Sequence, residues 1–303
     1  MSKLALWFKE TRPQFLILSV VLTFLGTVIA WYHGSFNIWY ALLAGLGLTL
    51  THGSVNAIND YFDYKSGIDL HVKRTPFSGG SGLLPEGKIS LKQTLGVGIV
   101  TSLIALGIGI FFIIVSGWQL IPLLVVAGII LVLYTPVILK TTWPEWSPGV
   151  GLGIMPILGF YFVQTGEYSW VVLLAAIPSG IMVHNLLFIN EFPDVEADRI
   201  GKRRTTPVVF GLETSSKIFV VATIAVYVWI IGCVIATLVS GTVIMPVWCL
   251  IALLSLPFAI KAMQGARQYA DINKLIPALG NNVIFIMLTH VLLGIGYILD
   301  KAF

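Results

Sequence analysis

The chain has 303 residues, of which 57% are hydrophobic and only 11% charged, with a mean hydropathy of +0.92; a soluble domain carries roughly 25% charged residues. That balance excludes a soluble enzyme, a disordered chain and a disulfide scaffold, and leaves a polytopic membrane protein. The net charge of +4 and pI near 9.0 do not point to nucleic acid, because lysine and arginine are needed first to orient membrane spans.

Residues 1–14 lack a long apolar core with a small-residue cleavage site, so no cleaved signal peptide is expected. Leu4, Leu6, Trp7 and Phe8, set between Lys3, Lys9 and Arg12, predict a short helix lying on the membrane surface. Apolar runs bounded by Gly, Pro or charge then predict nine spans near 14–34, 38–62, 92–115, 119–139, 148–166, 169–192, 215–238, 243–262 and 279–299, each about 20 residues long. Tight turns are expected at 116–119 and 166–168. Gly96, Gly98, Gly107 and Gly109 in the third span, and Gly149, Gly151, Gly153 and Gly159 in the fifth, predict close helix–helix contacts, since small residues let backbones approach in lipid. Cys233 and Cys249 have no CxxC or Cys/His spacing and read as small buried hydrophobes.

Nine spans place the termini on opposite sides. All lysines and arginines except Lys301 then fall on the side of the N-terminus, which predicts a cytoplasmic N-terminus and a C-terminus across the membrane. The acids follow the same side: only Glu167 and Asp300 lie opposite. Orientation does not require acids there, so they need another explanation.

Most of that acidity gathers at two helix ends. The second span closes with NAINDYFDYKSGID, carrying Asn56, Asn59, Asp60, Asp63 and Asp69; the sixth closes with NEFPDVEADRIGKRR, carrying Asn190, Asp194 and Asp198. Asn56, Asp60 and Asp63 lie within about 60° of one another on a helix, and Asn190, Asp194 and Asp198 would cover about 80° if the helix continued past Pro193. Carboxylates so placed repel one another at a helix C-terminus, where the dipole also disfavours negative charge. A divalent cation removes that penalty. Oxygen ligands favour Mg²⁺ over Zn²⁺, and Mg²⁺ is commonly completed by substrate phosphate. The neighbouring Lys73, Arg74, Arg199, Lys202, Arg203 and Arg204 suit a polyanion.

These motifs, NDYFDYKSGID followed by HVKRTPFSGGSGLLP and NEFPDVEADRIGKRR followed by TTPVVFG, resemble the two aspartate motifs of the UbiA superfamily of intramembrane prenyltransferases. The resemblance extends to YTPVILK (134–140) and GFYFVQTG (159–166), spans nearly the whole chain, and is nearest to the menaquinone-type branch. Ubiquinone-type members carry NDxxDxxxD, whereas Gly67 stands four residues after Asp63 here. The resemblance implies one all-α domain over 1–303, with nine transmembrane helices around a central cavity and cap loops near 63–91 and 193–214 over its cytoplasmic mouth. It also implies transfer of a polyprenyl group from an allylic diphosphate to an aromatic quinone precursor such as 1,4-dihydroxy-2-naphthoate. The alternatives are 4-hydroxybenzoate, a tetrapyrrole or a glycerol phosphate lipid. Asp60 and Asp63 with Asn56 or Asn59 would hold one Mg²⁺, and Asp194 and Asp198 with Asn190 a second. Lys73, Arg74, Lys202 and Arg203 would contact diphosphate, with Asp69, Lys140 and Gln164 in matching substrate positions. Tyr134 and Tyr161 could face the allylic cation across their aromatic rings.

Two other classes compete. A secondary transporter places ionisable groups near the midplane in broken helices, but the central thirds of these spans carry no Asp, Glu, Lys or Arg. A structural membrane protein leaves the paired carboxylates unexplained.

Overall fold

A computed structural model describes residues 2–72 and 74–303, so Lys73 lies outside the described residues. They form a helical bundle with no strand among them. The first helix, α1 (Lys3–Glu10), is capped by the Ser2 hydroxyl and exposes Leu4, Trp7 and Phe8, as a helix lying on a membrane would.

Nine apolar helices follow: α2 (Ile17–Tyr32), α3 (Ile38–Ser66), α4 (Leu91–Ser116), α5 (Trp118–Leu133), α6 (Trp146–Thr165), α7 (Trp170–Asn190), α9 (Thr206–Ser240), α10 (Val247–Ala266) and α11 (Ile272–Ala302), with the short α8 (Val195–Ile200) between α7 and α9. Each expected span coincides with one of them. Seven are long and apolar enough to cross a membrane; α2 and α5 are apolar but shorter. The chain is an integral multi-pass membrane protein.

Helix starts are set by local chemistry. Asn37 accepts from the amides of Trp39 and Tyr40 at the start of α3, Ser90 and Gln93 form a capping box on α4, and Asp271 caps α11; each supplies partners for amides that a first helical turn leaves open. The condition set on the second motif is not met, and one helix start differs from expectation. α7 stops at Asn190 and a turn intervenes before α8, because Pro193 lacks an amide N–H and its ring would strike the carbonyl four residues back. The stripe expected over Asn190, Asp194 and Asp198 is therefore split between a helix end, a turn and a second helix. α9 begins at Thr206 inside the expected loop, then breaks at Gly211, whose φ is 78°.

The core is built where α2, α6, α7, α9, α10 and α11 converge, around residues such as Leu22, Ile157, Val172, Met182, Ile230 and Phe285. α6 packs on both α2 and α7, α11 on α2 and α10, and α3 lies along α4. The expected glycine contacts are half realised in α4: a side chain on Gly98 would meet Ile58, and one on Gly109 would meet Leu124, whereas Gly96 and Gly107 face open space. In α6, Gly153 lies against α7 so closely that an added Cβ would sit 2.6 Å from the Gly180 Cα. Cys233 and Cys249 are buried free thiols. Exposed Leu103, Ile114, Val221, Leu238 and Val239 give the outer surface the apolar character a bilayer requires.

The bundle has two chemically different ends. One gathers Tyr32, Asn37, Gln164, Asp300 and Lys301, joined by the Gln164–Asn37 and Tyr32–Asp300 hydrogen bonds. The other gathers Arg12, Asp60, Asp63, Glu145, Asp198, Arg203 and Thr206.

The α6–α7 approach predicts a test. Gly153→Ala forces backbone apart and lowers stability by about 1–3 kcal/mol, as overpacking does. Gly107→Ala meets nothing and leaves stability unchanged or raised by about 0.5–1 kcal/mol. Thermal unfolding in detergent reads both, and equal losses would contradict the packing described.

Candidate active site

The first acidic motif occupies the last three turns of α3 and the short 3-10 turn Ile68–Leu70 after it, which carries Asp69. Gly67 ends the helix in the left-handed conformation at φ 82°, which a residue without Cβ adopts at no steric cost. Asp60, Asp63 and Asp69 are all buried. Asp60 forms an ion pair with Arg12 and accepts from the Ser81 amide at 2.8 Å. Asn59 lies beside this pair, its amide donating to Thr135 at 3.3 Å; Asn56 donates to the Thr11 carbonyl at 2.9 Å.

The second motif reaches the same place by a different route. The α7–α8 turn carries Asp194, which accepts from the Ser78 hydroxyl at 3.4 Å, and α8 carries Asp198. After α8 the chain turns back through Lys202, at φ 57°, and delivers Arg203 between the motifs. One guanidinium pairs with both: Nη2 with Asp63, and Nη1 with Asp198 at 3.0 Å. Thr205 donates to the other Asp198 oxygen at 3.3 Å. Carboxylates 135 positions apart in the sequence are thus separated by the width of a single guanidinium.

The segment between the motifs covers the first. Its SGGSG run (78–82) has positive φ at Gly79, Gly80 and Gly82. A Cβ on Gly80 would fall 3.3 Å from Asp60 Oδ1, 3.4 Å from Asp69 Oδ1 and 3.3 Å from Arg12 Nη2, so only glycine leaves the space between the two carboxylates open. Ser81 also donates to Glu10 at 2.8 Å, tying α1 to this cover. Arg12 itself has φ 53°, an uncommon conformation for a side-chain-bearing residue, held by its buried pair with Asp60.

Among the described residues negative charge exceeds positive here. Five aspartates, Asp60, Asp63, Asp69, Asp194 and Asp198, face two half-buried guanidiniums, Arg12 and Arg203. Burial, reinforced by Asp63 and Asp60, pushes the Asp69 carboxyl up to about 7; burial and Asp198 push Asp194 up to about 7. Asp198 is likewise raised by burial, against the opposing pull of Arg203. Further polar atoms lack partners: Asn190 Oδ1 and Glu191 Oε2 are buried without a hydrogen bond. Among the described residues no three acidic, imidazole or thiol groups converge closely enough to enclose a cation alone. Excess carboxylate, spare amide oxygen and an incomplete cage fit a hard cation completed by ligand oxygens.

Several expected residues lie elsewhere. Tyr161 packs edge-on to His33 at 5.7 Å and Gln164 bonds the Asn37 backbone, which puts both at the opposite end of the bundle, out of reach of the carboxylates. Lys140 and Lys202 are exposed. Arg74 is exposed as well and bonds the Gly79 carbonyl and Glu86. Lys73 lies outside the described residues. Tyr134, by contrast, lines a cavity that opens beneath the first motif.

That cavity, about 190 Å³, is bounded near the carboxylates by Arg12, Asn56, Asn59 and Asn190, and deeper by Phe15, Leu18, Leu48, Leu152 and Leu186. A second, of about 140 Å³, lies between α3, α4, α5 and α6 and shares Leu48, Thr51, Ala127 and Gly151 with the first. Together they run from a charged head to an apolar interior.

Arg12, Glu10, Ser81 and Glu191 were not singled out by the sequence. Arg12 reads there as one more orienting charge. The clustered glycines of SGGSG, beside an acidic helix end, were the one available sign that backbone approaches the site.

Comparison with known proteins agrees with this geometry. The chain is 27% identical to a 1,4-dihydroxy-2-naphthoate octaprenyltransferase of Bacillus subtilis, over 87% of this chain and 82% of that one. Its fold matches a UbiA homologue of Aeropyrum pernix K1 with a TM-score of 0.69 at 16% identity, covering 95% of this chain and 98% of the other. It also matches a UbiA homologue of Archaeoglobus fulgidus bound to GPP and Mg²⁺, with a TM-score of 0.60 at 14% identity and coverage of 95% and 99%. Residues 19–287 match the UbiA prenyltransferase family model, and the chain belongs to that family.

Proposed function

We propose that this protein transfers a polyprenyl group from an allylic diphosphate to an aromatic quinone precursor, with 1,4-dihydroxy-2-naphthoate as the favoured acceptor. The observation that carries this is the convergence of two acidic motifs, with charge to spare, at the mouth of an apolar cavity. The naphthoate choice is supported by the Bacillus subtilis relative, and the diphosphate by the ligand of the Archaeoglobus fulgidus homologue. A transporter reading gains nothing, because the clustered carboxylates sit at one end of the bundle and not at its middle.

In this reading the single domain crosses the membrane nine times, with α2 and α5 as short crossings. The N-terminus and the carboxylate mouth face the cytoplasm, and the C-terminus lies opposite. Segments 63–91 and 193–214 act as the cap: Ser78 on Asp194, and Ser81 on Asp60, already draw the first onto both motifs.

Asp60 and Asp63, with Asn56 or Asn59, would hold one Mg²⁺; Asp194 and Asp198, with Asn190, the other. When bound, Mg²⁺ neutralises the charge that builds on a departing diphosphate. Arg12 and Arg203 keep the carboxylates paired beforehand and offer forked N–H donors to phosphate oxygens afterwards. The C1–O bond of the allylic diphosphate breaks with its electron pair leaving on oxygen. A carbon of the electron-rich ring attacks the resulting cation, and the ring then loses a proton. The Tyr134 ring at the cavity wall stabilises the cation by roughly 0.5–2 kcal/mol. The cover over Asp60 keeps water from the cation, and the joined cavities take the tail.

Turnover of geranyl diphosphate with 1,4-dihydroxy-2-naphthoate in detergent should require Mg²⁺ and stop on chelation. Unchanged product formation in excess EDTA would contradict the acidic site's role. Each buried CH₂ adds about 0.8 kcal/mol, and a route that opens sideways to lipid would set no sharp upper limit on tail length, which predicts broad tail tolerance. Initial rates with C10, C20 and C40 diphosphates should all be measurable; activity confined to one length would mean a closed, measuring cavity.

A further inference from the structure

His52 lies on α3 eight residues before Asp60, hence about 12 Å deeper along the helix axis, and its ring lines the first cavity. Asn56, at the midpoint of that interval, lies on the same stripe. Nδ1 of His52 is held by the Ser19 hydroxyl of α2 at 3.0 Å. Nε2 has no protein partner among the described residues. The nearest polar neighbour in sequence, Thr51, already spends its hydroxyl on the Gly47 carbonyl at 2.9 Å. An imidazole held at one nitrogen by Ser19 and open to the cavity at the other, below the polar group of Arg12, Asn56, Asn59 and Asn190, is a preformed polar anchor for a ligand atom.

The two cavities divide the available space unequally around it. His52 stands on the α2 side, with Phe15 and Leu18 beside it in the first cavity and absent from the second. The apolar extension leads away, through Leu48, Ala127 and Gly151, toward α4 and α5. A prenyl tail is a continuous hydrocarbon and satisfies the extension, but has nothing to offer Nε2. An aromatic acceptor has both a flat apolar body and a polar edge. It must also lie just below the carboxylates, because the carbon it attacks is one bond from the diphosphate.

We propose that His52 anchors the acceptor: Nε2 hydrogen-bonds a ring hydroxyl of the aromatic substrate on the α2 side of the cavity, while the prenyl tail leaves toward α4 and α5. A hydroxyl can donate or accept, so it satisfies Nε2 in either ring tautomer that Ser19 permits. Ser19 is then a positioning residue, acting through the imidazole. The inference rests on the aromatic-transfer reading above.

The test uses the full chain in detergent. Equilibrium binding of 1-hydroxy-2-naphthoate, read by tryptophan fluorescence, should weaken about tenfold in His52→Leu, the loss of one buried hydrogen bond. His52→Gln, which keeps a donor and an acceptor, should retain most of the affinity, and Ser19→Ala should lose less than His52→Leu. In turnover, His52→Leu should raise the acceptor KM by about the same factor and leave the KM for geranyl diphosphate unchanged. Unchanged naphthoate affinity in His52→Leu, or equal rises in both KM values, would overturn the anchor while leaving prenyl transfer standing. Absence of any prenylated naphthoate from the wild-type protein would instead overturn the reading on which it rests.

Discussion

The arrangement turns on one guanidinium. Arg203 is half-buried between Asp63 and Asp198, which are buried, and each of these acids alone would be too costly to bury charged. By pairing with both, it fixes the end of α3 against α8 and makes one site from two motifs. Arg12 does the same for Asp60 from the other side. Among the described residues the remaining acids, Asp69 and Asp194, have no ion pair of their own, and both are pushed up to about 7 by burial and like charge. The folded chain thus stores an electrostatic imbalance that a cation with a polyanion would relieve, at the mouth of the apolar cavity where the proposed reading places the diphosphate.

The rest of the molecule separates that charge from hydrocarbon. The acidic end is polar and capped from both sides by connecting segments, whereas the cavities beneath it are lined largely by Leu, Ile, Ala and Gly. An amphiphilic substrate is oriented by this division before any specific contact is made. The glycines of α6 matter in a similar way, since Gly153 allows α6 to press on α7 and so fixes one wall beside the cavity.

Much of this was legible in the sequence. Lipid permits few backbone arrangements, so apolar runs translated into helices, and acids clustered at two helix ends had few bland explanations. The errors have identifiable causes. Pro193 and Gly211 overrode hydrophobic periodicity at helix ends. Gln164 and Tyr161 matched family positions, but span parity alone puts both near the far end of the fifth span, beside Glu167. Arg12 was invisible as a site residue because its partner lies 48 positions away, and a positive charge beside a first span has a sufficient orienting reason. Side-chain reach across the bundle, unlike helix position, leaves no local signature.

In the proposed reading Asp63 and Asp198 serve one diphosphate. The most direct test of this is the Mg²⁺-dependent affinity for geranyl diphosphate in Asp63→Asn, Asp198→Asn and the double variant, each of which keeps the side-chain shape. A shared site predicts that either single change weakens binding by about 100-fold and that the double is scarcely worse than the weaker single, since groups acting as a unit are not additive. Losses that multiply to about 10⁴-fold would mean two independent sites and would contradict the account.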